Sequence, residues 1–588
     1  MLKMFRYLRN RDWLYALVSL VFIIIQVFLD LKMPDYMSEI TTLVQTGDSQ
    51  MSDILTVGSY MLLCALGSLV AAFIVGYFVA KIAAGLAMTL RENVHGKTMS
   101  FSMEELGKFS IPSLITRSTN DITQVQMFVA MGLQFMIKAP IQASWAIVKI
   151  SGKSWQWTLT TSIAVAILLL MLSIIIALTT PKFKKIQKFT DRINGLAREN
   201  LTGIRVIRAY NAESYQETKF EDANNELTKT NVFAHGVMAI QQPGMGLIQY
   251  GLTLAIFWVG AYLIDAATMA DKPALLSDMV AFSTYVLQVF MAIMMLTMTF
   301  IAMPRASVSA KRINEVLETE ETILDGTMET FDPAYAGEVE FRSVSFRYPN
   351  TEQPVLHDIS FAVKKGETVA FIGSTGSGKS TLVNLVPRFY DATEGEVLVN
   401  GVNVKDFRQE ALRDRLAYVP QKSVLFSGTV ASNVAFGIED GMRPSENDIV
   451  DAVHVAQASD FVEQMPGNYQ ARIAQGGTNV SGGQKQRLSI ARAVYRRPDI
   501  FIFDDSFSAL DYKTDREIRS ALRKQTKGAT SLIVAQRIGT IMDADKIIVL
   551  DEGKIVSSGT HQELLKSCEV YREIAESQLS KEEIEDAS

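Results

Sequence analysis

Thr368-Val369-Ala370-Phe371-Ile372 runs straight into Gly373-Ser374-Thr375-Gly376-Ser377-Gly378-Lys379-Ser380, and a helix-like stretch from Thr381 to Arg388 follows. The apolar run reads as a buried strand, the glycine-rich segment as a loop, and the next residues as a helix opening from that loop. Backbone N–H groups of such a loop can point inward at phosphate oxygens, and the helix N-terminus adds a favourable dipole. In this context Lys379 is expected to reach the β- and γ-phosphates of a nucleoside triphosphate, and Ser380 to ligate Mg2+. Gly373, Ser374, Thr375, Gly376, Ser377, Gly378 and Thr381 are expected to complete the cradle.

A second buried strand, Ile500-Phe501-Ile502-Phe503, ends on Asp504. An acid at the end of such a strand sits where Mg2+ would be, so Asp504 is expected on the metal side, through water, with Asp505 nearer the γ-phosphate. Ser481-Gly482-Gly483-Gln484 opens another helix-like stretch, Lys485 to Arg497, and is a second possible phosphate binder. Residues 338–560 read like a soluble α/β protein, beginning with the strand alternation of Val339 to Phe346.

The other half is different. The chain has 588 residues and is 48% hydrophobic, with a mean hydropathy of +0.15, and the apolar excess is concentrated in residues 13–303. A membrane span needs about 20 mostly apolar residues. Six stretches qualify as expectations: Trp13–Leu31, Ile54–Ala80, Phe128–Ile150, Trp157–Leu178, Val237–Ile264 and Met279–Met303. Lys138 and Pro140 interrupt the third, and Pro243, Gly244 and Gly246 predict a kink in the fifth. The long connections after the second and fourth stretches carry Lys97, Lys108, Arg117, Lys182, Lys184, Lys185, Arg205 and Arg208. The connection after the first carries Asp35, Glu39, Asp48 and Asp53. That asymmetry places both termini and the long connections on the cytoplasmic side. The long connections read as helical extensions of the spans. Gln134, Lys138, Gln142, Gln241, Gln242, Gln249 and Gln288 are candidates for a substrate path or for helix–helix hydrogen bonds.

The formal charge of −6 implies no nucleic-acid surface. The two cysteines, Cys64 and Cys568, imply no disulfide framework and no metal cluster. No cleavage site follows the basic start, so the first helix is expected to stay in the protein. The expected organisation is therefore a transmembrane domain over residues 1–320, a linker at 321–337, a nucleotide-binding domain at 338–575 and a charged tail at 576–588.

Together these motifs, in this order, resemble the exporter-type ATP-binding cassette (ABC) family in its single-chain half-transporter form. The resemblance covers essentially the whole chain. It implies a six-helix transmembrane domain followed by an α/β P-loop domain with a helical subdomain, using ATP and Mg2+. Within it, Ser481-Gly482-Gly483-Gln484 is similar to the family signature, Gln421 after Tyr418-Val419-Pro420 to the Q-loop glutamine, and Tyr348 to the aromatic that stacks on adenine. Ser508-Ala509-Leu510-Asp511 follows the Walker B strand as in the family. Glu199-Asn200-Leu201-Thr202-Gly203 with Arg205, Arg208 and Ala209 looks like its cytoplasmic extension. Gln421 is thereby implied at the metal as well as near the catalytic groups. Two chains are implied in a working transporter, because ATP is sandwiched between the P-loop of one and the signature of the other.

The sequence departs from the family pattern at several positions. Asp505 stands where the catalytic glutamate is usual, Gln536 where a histidine is usual, Gln475 where an acid is usual, and Val480 at the signature leucine. Asp505 is one methylene shorter, about 1.5 Å, and a misplacement of about 1 Å can cost about 100-fold. Glutamine cannot become a cation or relay a proton as imidazole does. The resemblance then implies a plasma-membrane ABC exporter of lipophilic or multidrug-type substrates, with this chain as the degenerate half of a heterodimer. Its partner would carry the glutamate and the histidine. The alternatives are a homodimeric lipid or peptide exporter, and a nucleotide-gated regulatory membrane subunit with little hydrolysis.

Overall fold

The computed structural model describes residues 2–45, 50–152, 154–269, 271–349, 351–437, 445–525 and 528–579. Asp48 and the end of the expected tail, residues 580–588, lie outside them. The chain divides into two compact units, Met1–Met99 with Ile111–Glu318, and Ser100–Ser110 with Thr319–Ser588.

The described residues of the first unit are organised into helices. Among them five helices are long and apolar enough to cross a membrane: Asn10–Gln45, Met51–Ser100, Trp155–Thr202, Glu213–Ala266 and Lys272–Leu317. The expected third span lies in the helix Ile122–Ser151, which falls outside that group. Gln126, Gln134, Lys138 and Gln142 dilute its hydropathy. The helices outrun their apolar cores. Met51–Ser100 has 50 residues, about 75 Å of helix, and Asp35 and Glu39, read as loop, lie inside Asn10–Gln45. The interruption in the fifth stretch falls at Ile240, between Glu213–Ala239 and Gln241–Ala266. Pro243 thus sits in a first helical turn, where a missing N–H costs nothing.

Two lysines inside this bundle are paired with carboxylates, as the low dielectric demands. Lys138 meets Asp30 at 3.2 Å, and Ser68 donates to the same carboxylate at 2.5 Å. Lys149 meets Asp35 at 2.7 Å, which also accepts from the Tyr285 hydroxyl. The Gln142 amide donates to the Gln288 side chain.

The second unit is built on a six-stranded sheet in the order Lys554–Gly559, Lys546–Asp551, Thr368–Gly373, Thr530–Val534, Ile500–Asp504, Leu416–Val419. All neighbours are parallel except the outermost pair, Lys554–Gly559 with Lys546–Asp551. Both faces are covered, so the strands read as continuous apolar runs. In Thr368–Gly373, Ala370 and Ile372 enter one core, with the helical subdomain, while Val369 and Phe371 enter the other. The second core is closed by an antiparallel sheet of Leu356–Val363, Val339–Phe346, Glu394–Val399 and Val402–Asn403.

The short helix Met103–Lys108 belongs to this unit and opens on a capping box from Ser102. Its Glu105 is fully buried. The carboxylate accepts from Ser102 N at 2.8 Å, Thr322 N at 3.2 Å and Thr322 Oγ1 at 2.6 Å.

Candidate nucleotide site

Four adjacent parallel strands end together and deliver the site. In sheet order, Thr368–Gly373 leads to the glycine loop, Thr530–Val534 to Gln536, Ile500–Asp504 to Asp505, and Leu416–Val419 to Gln421. The carboxyl edge of a parallel sheet is where ligands of such folds bind.

The loop depends on glycine at its two ends. Gly373 has φ +154°, and a Cβ there would run into the Leu550 carbonyl. Gly378 has φ +93°, and a Cβ would lie 2.7 Å from Leu356 Cδ2. Thr375 and Gly376 form the exposed tip, whereas Ser377 and Lys379 are buried. Lys379 Nζ donates to the carbonyls of Gly373 at 2.9 Å and Ser374 at 2.7 Å. Burial holds the ammonium below the usual lysine value, against the pull of Asp505 and Asp504.

Ser380 Oγ donates to Asp504 Oδ1 at 2.6 Å. Asp505 has φ +49°, a left-handed conformation uncommon outside glycine. Its Oδ2 accepts from Gln536 Nε2 at 2.8 Å and from Gln421 Nε2 at 3.0 Å. Burial pushes the Asp505 carboxyl up. The Gln421 hydrogen bond opposes that rise, and the Asp504 charge adds to it.

Tyr348 is half-buried, and its hydroxyl lies 3.0 Å from Thr381 Oγ1. Its ring meets Tyr390 edge-on at 5.3 Å. The Ser481–Gln484 segment stands apart from this set. Ser481 caps the helix Gly482–Tyr495, and Gln484 reciprocates in a capping box. Nothing lies within 4 Å of a Cβ built on Gly482, and the nearest atom to one on Gly483 is Ala509 O at 3.5 Å.

Tyr418 is a site residue not singled out from the sequence. Its hydroxyl lies 3.1 Å from Asp504 Oδ2 and 3.0 Å from Asn384 Oδ1. Burial, then the Asp504 charge, pushes that hydroxyl above its ordinary value, so it stays a donor. Strand alternation carried the signal: Tyr418 pairs with Ile502, two residues before Asp504 and on the same face.

Among the described residues no group of three or more His, Cys, Asp or Glu could hold a metal unaided. One hydroxyl and one carboxylate, Ser380 and Asp504, suit Mg2+, which keeps several waters and shares its shell with substrate phosphates. The donor set therefore fits Mg·ATP.

Residues 16–304 match the family described as ABC transporter transmembrane region, and residues 356–508 match the family described as ABC transporter. An uncharacterized ABC transporter ATP-binding protein of Mycobacterium tuberculosis is 39% identical over 526 residues, 89% of this chain and 88% of that protein. The chain belongs to the ABC transporter family. An ATP-dependent lipid A-core flippase of Pseudomonas fluorescens is 34% identical over 493 residues, 83% of this ABC transporter and 80% of the flippase. A solved bacterial Atm1-family ABC exporter with ATP bound shares the fold, with a TM-score of 0.80, 24% identity, and coverage of 97% of this chain and 100% of that one. The protein binds ATP, couples an ATPase to transport, and is a multi-pass membrane protein with a cytoplasmic nucleotide-binding domain.

These matches overturn the expectation that the chain is the degenerate-site half of a heterodimer. They group it with the flippase-type exporters, and the Atm1-family exporter shares its fold. The physical reason lies at Asp505. Residue types alone suggest a disabled site, yet the shortened carboxylate is gripped by Gln421 and Gln536 in an assembled cluster.

Proposed function

We propose that two copies of this chain form an exporter that moves a lipophilic, lipid-class substrate out of the cytoplasmic leaflet at the expense of ATP. The observation that carries this reading is the convergence of Gln421 and Gln536 on Asp505. Each copy then brings its own hydrolytic groups and needs no partner of another kind to supply them. The likeness to lipid A-core flippases supports the substrate class.

In this assembly Lys379 and the loop Gly373–Gly378 hold the phosphates, Ser380, Asp504 and Gln421 attend Mg2+, and Tyr348 lies against the adenine. Asp505 acts as the base toward the attacking water, with Gln536 holding its carboxylate. Ser481–Gln484 of each copy faces the P-loop of the other, and the open space around Gly482 and Gly483 suits that approach. The helix Ile122–Ser151 serves as the sixth membrane-crossing helix, its Lys138 neutralised by Asp30.

The test is reconstitution of the purified single chain in proteoliposomes. ATPase activity and ATP-dependent movement of a labelled lipid, with no second protein present, are the expected results. Activity that requires a different ABC subunit would sink the proposal.

A further inference from the structure

Tyr418 joins three elements that nucleotide chemistry needs held in register. Its strand, Leu416–Val419, lies beside Ile500–Asp504 at the sheet edge. Its hydroxyl lies 3.1 Å from Asp504 Oδ2 and 3.0 Å from Asn384 on the P-loop helix Lys379–Leu385. A phenol has one proton, and the ionised carboxylate is the stronger acceptor. Asn384 Oδ1 is the competing acceptor for that one proton. Ser380 meanwhile takes the other oxygen, Oδ1, at 2.6 Å. The two oxygens of Asp504 are thus distinguished: one is held from the strand side, and the other faces the hydroxyl of the P-loop serine.

We propose that Tyr418 is a positioning residue for the metal side of the site: it fixes the rotation of the Asp504 carboxylate so that Oδ1 and Ser380 Oγ present together to Mg2+. The inference rests on the reading of Ser380 and Asp504 as the metal side. Groups that orient a metal-side carboxylate typically alter metal affinity about 10- to 100-fold when removed. Losing the hydroxyl leaves the ring, and so the packing of Tyr418 against Phe389 (centroids 5.3 Å apart), in place.

The experiment compares wild type, Tyr418→Phe and Asp504→Asn by two binding measurements on the purified full chain. The first is Mn2+ titration by electron paramagnetic resonance with the non-hydrolysable analogue AMP-PNP. The second is binding of the same analogue in EDTA. Tyr418→Phe is expected to weaken Mn2+ binding about 10-fold and to leave metal-free binding within twofold. A Mn2+ midpoint within twofold of wild type would overturn the inference. Equal weakening with and without metal would overturn it as well, because the hydroxyl would then serve only packing. If Asp504→Asn leaves Mn2+ binding intact, the metal-side reading falls and the role of Tyr418 falls with it. None of these readouts depends on transport, so the failure of the exporter proposal would be seen separately.

Discussion

Gln536 Nε2 lies 2.8 Å from Asp505 Oδ2, and that contact governs how the site is expected to respond to mutation. Asp505→Asn keeps the shape and an acceptor oxygen for Gln536 but removes the charge needed to take a proton. In a homodimer both composite sites lose it at once. General-base catalysis is worth about 10²- to 10⁴-fold, so steady-state ATPase of the reconstituted protein is expected to drop at least about 100-fold. A loss of less than about fivefold would show that Asp505 is not the base.

Lys379→Ala removes an ammonium held by two loop carbonyls. Its proposed role is to exchange those carbonyls for phosphate oxygens when nucleotide enters. Hydrogen bonds to charged groups contribute about 1.5–3 kcal/mol, roughly 10- to 100-fold in affinity. Titration with a fluorescent ATP analogue should show that loss at every site, because in the proposed homodimer both copies carry the change. Wild-type affinity would remove Lys379 from the phosphate cradle.

Much of the nucleotide site was legible because its parts are local in sequence. Gly373 to Ser380 is one continuous loop, and the run Ile500–Asp504 announces a buried strand ending in an acid. Tyr418 was harder to see, because its partner Asp504 lies on another strand and only sheet register shows that the two share a face. The contact of Gln536 was hidden for a related reason. A residue type reports which chemistry is lost, whereas its contact with Asp505 depends on the neighbouring strand. In the membrane half, apolar length located five helices plainly. Ile122–Ser151 gave a weaker signal because polar side chains that pair within the bundle, such as Lys138 with Asp30, lower its hydropathy.

Gly483→Asp separates folding from catalysis. A Cβ at Gly483 meets only ordinary contacts, the nearest at 3.5 Å, and an acid early in a helix is favourable to its dipole. Thermal stability in detergent is therefore expected to stay close to wild type. ATPase should nevertheless fall to background, since in the proposed homodimer the added carboxylate would face the γ-phosphate bound by the other copy, where like charges repel. Wild-type turnover would show that this segment does not face nucleotide. A collapse of stability would show that the loss came from misfolding.

Glu105 gives a prediction about pH. Burial alone would raise its carboxyl, but hydrogen bonds from Ser102 and Thr322 outweigh that and hold it below the usual carboxylate range. A carboxylate with a depressed folded value binds fewer protons in the native state than in the unfolded one. Its stabilisation is therefore fully present above the unfolded value, about 4.3 for glutamate, and is lost as pH falls through the folded value. Glu105→Ala should cost about 2–3 kcal/mol at neutral pH, because it strands the Ser102 and Thr322 donors between the helix Met103–Lys108 and the Thr319–Asp325 segment. The gap between wild type and variant in melting temperature should hold constant from pH 8 to pH 6. It should narrow only below about pH 4, as the native carboxylate takes up its proton. Melting curves of the detergent-solubilised protein across that range are the measurement. A gap that closes already near pH 6 would mean that Glu105 titrates high in the folded protein, and that the contacts from Ser102 and Thr322 do not hold its charge.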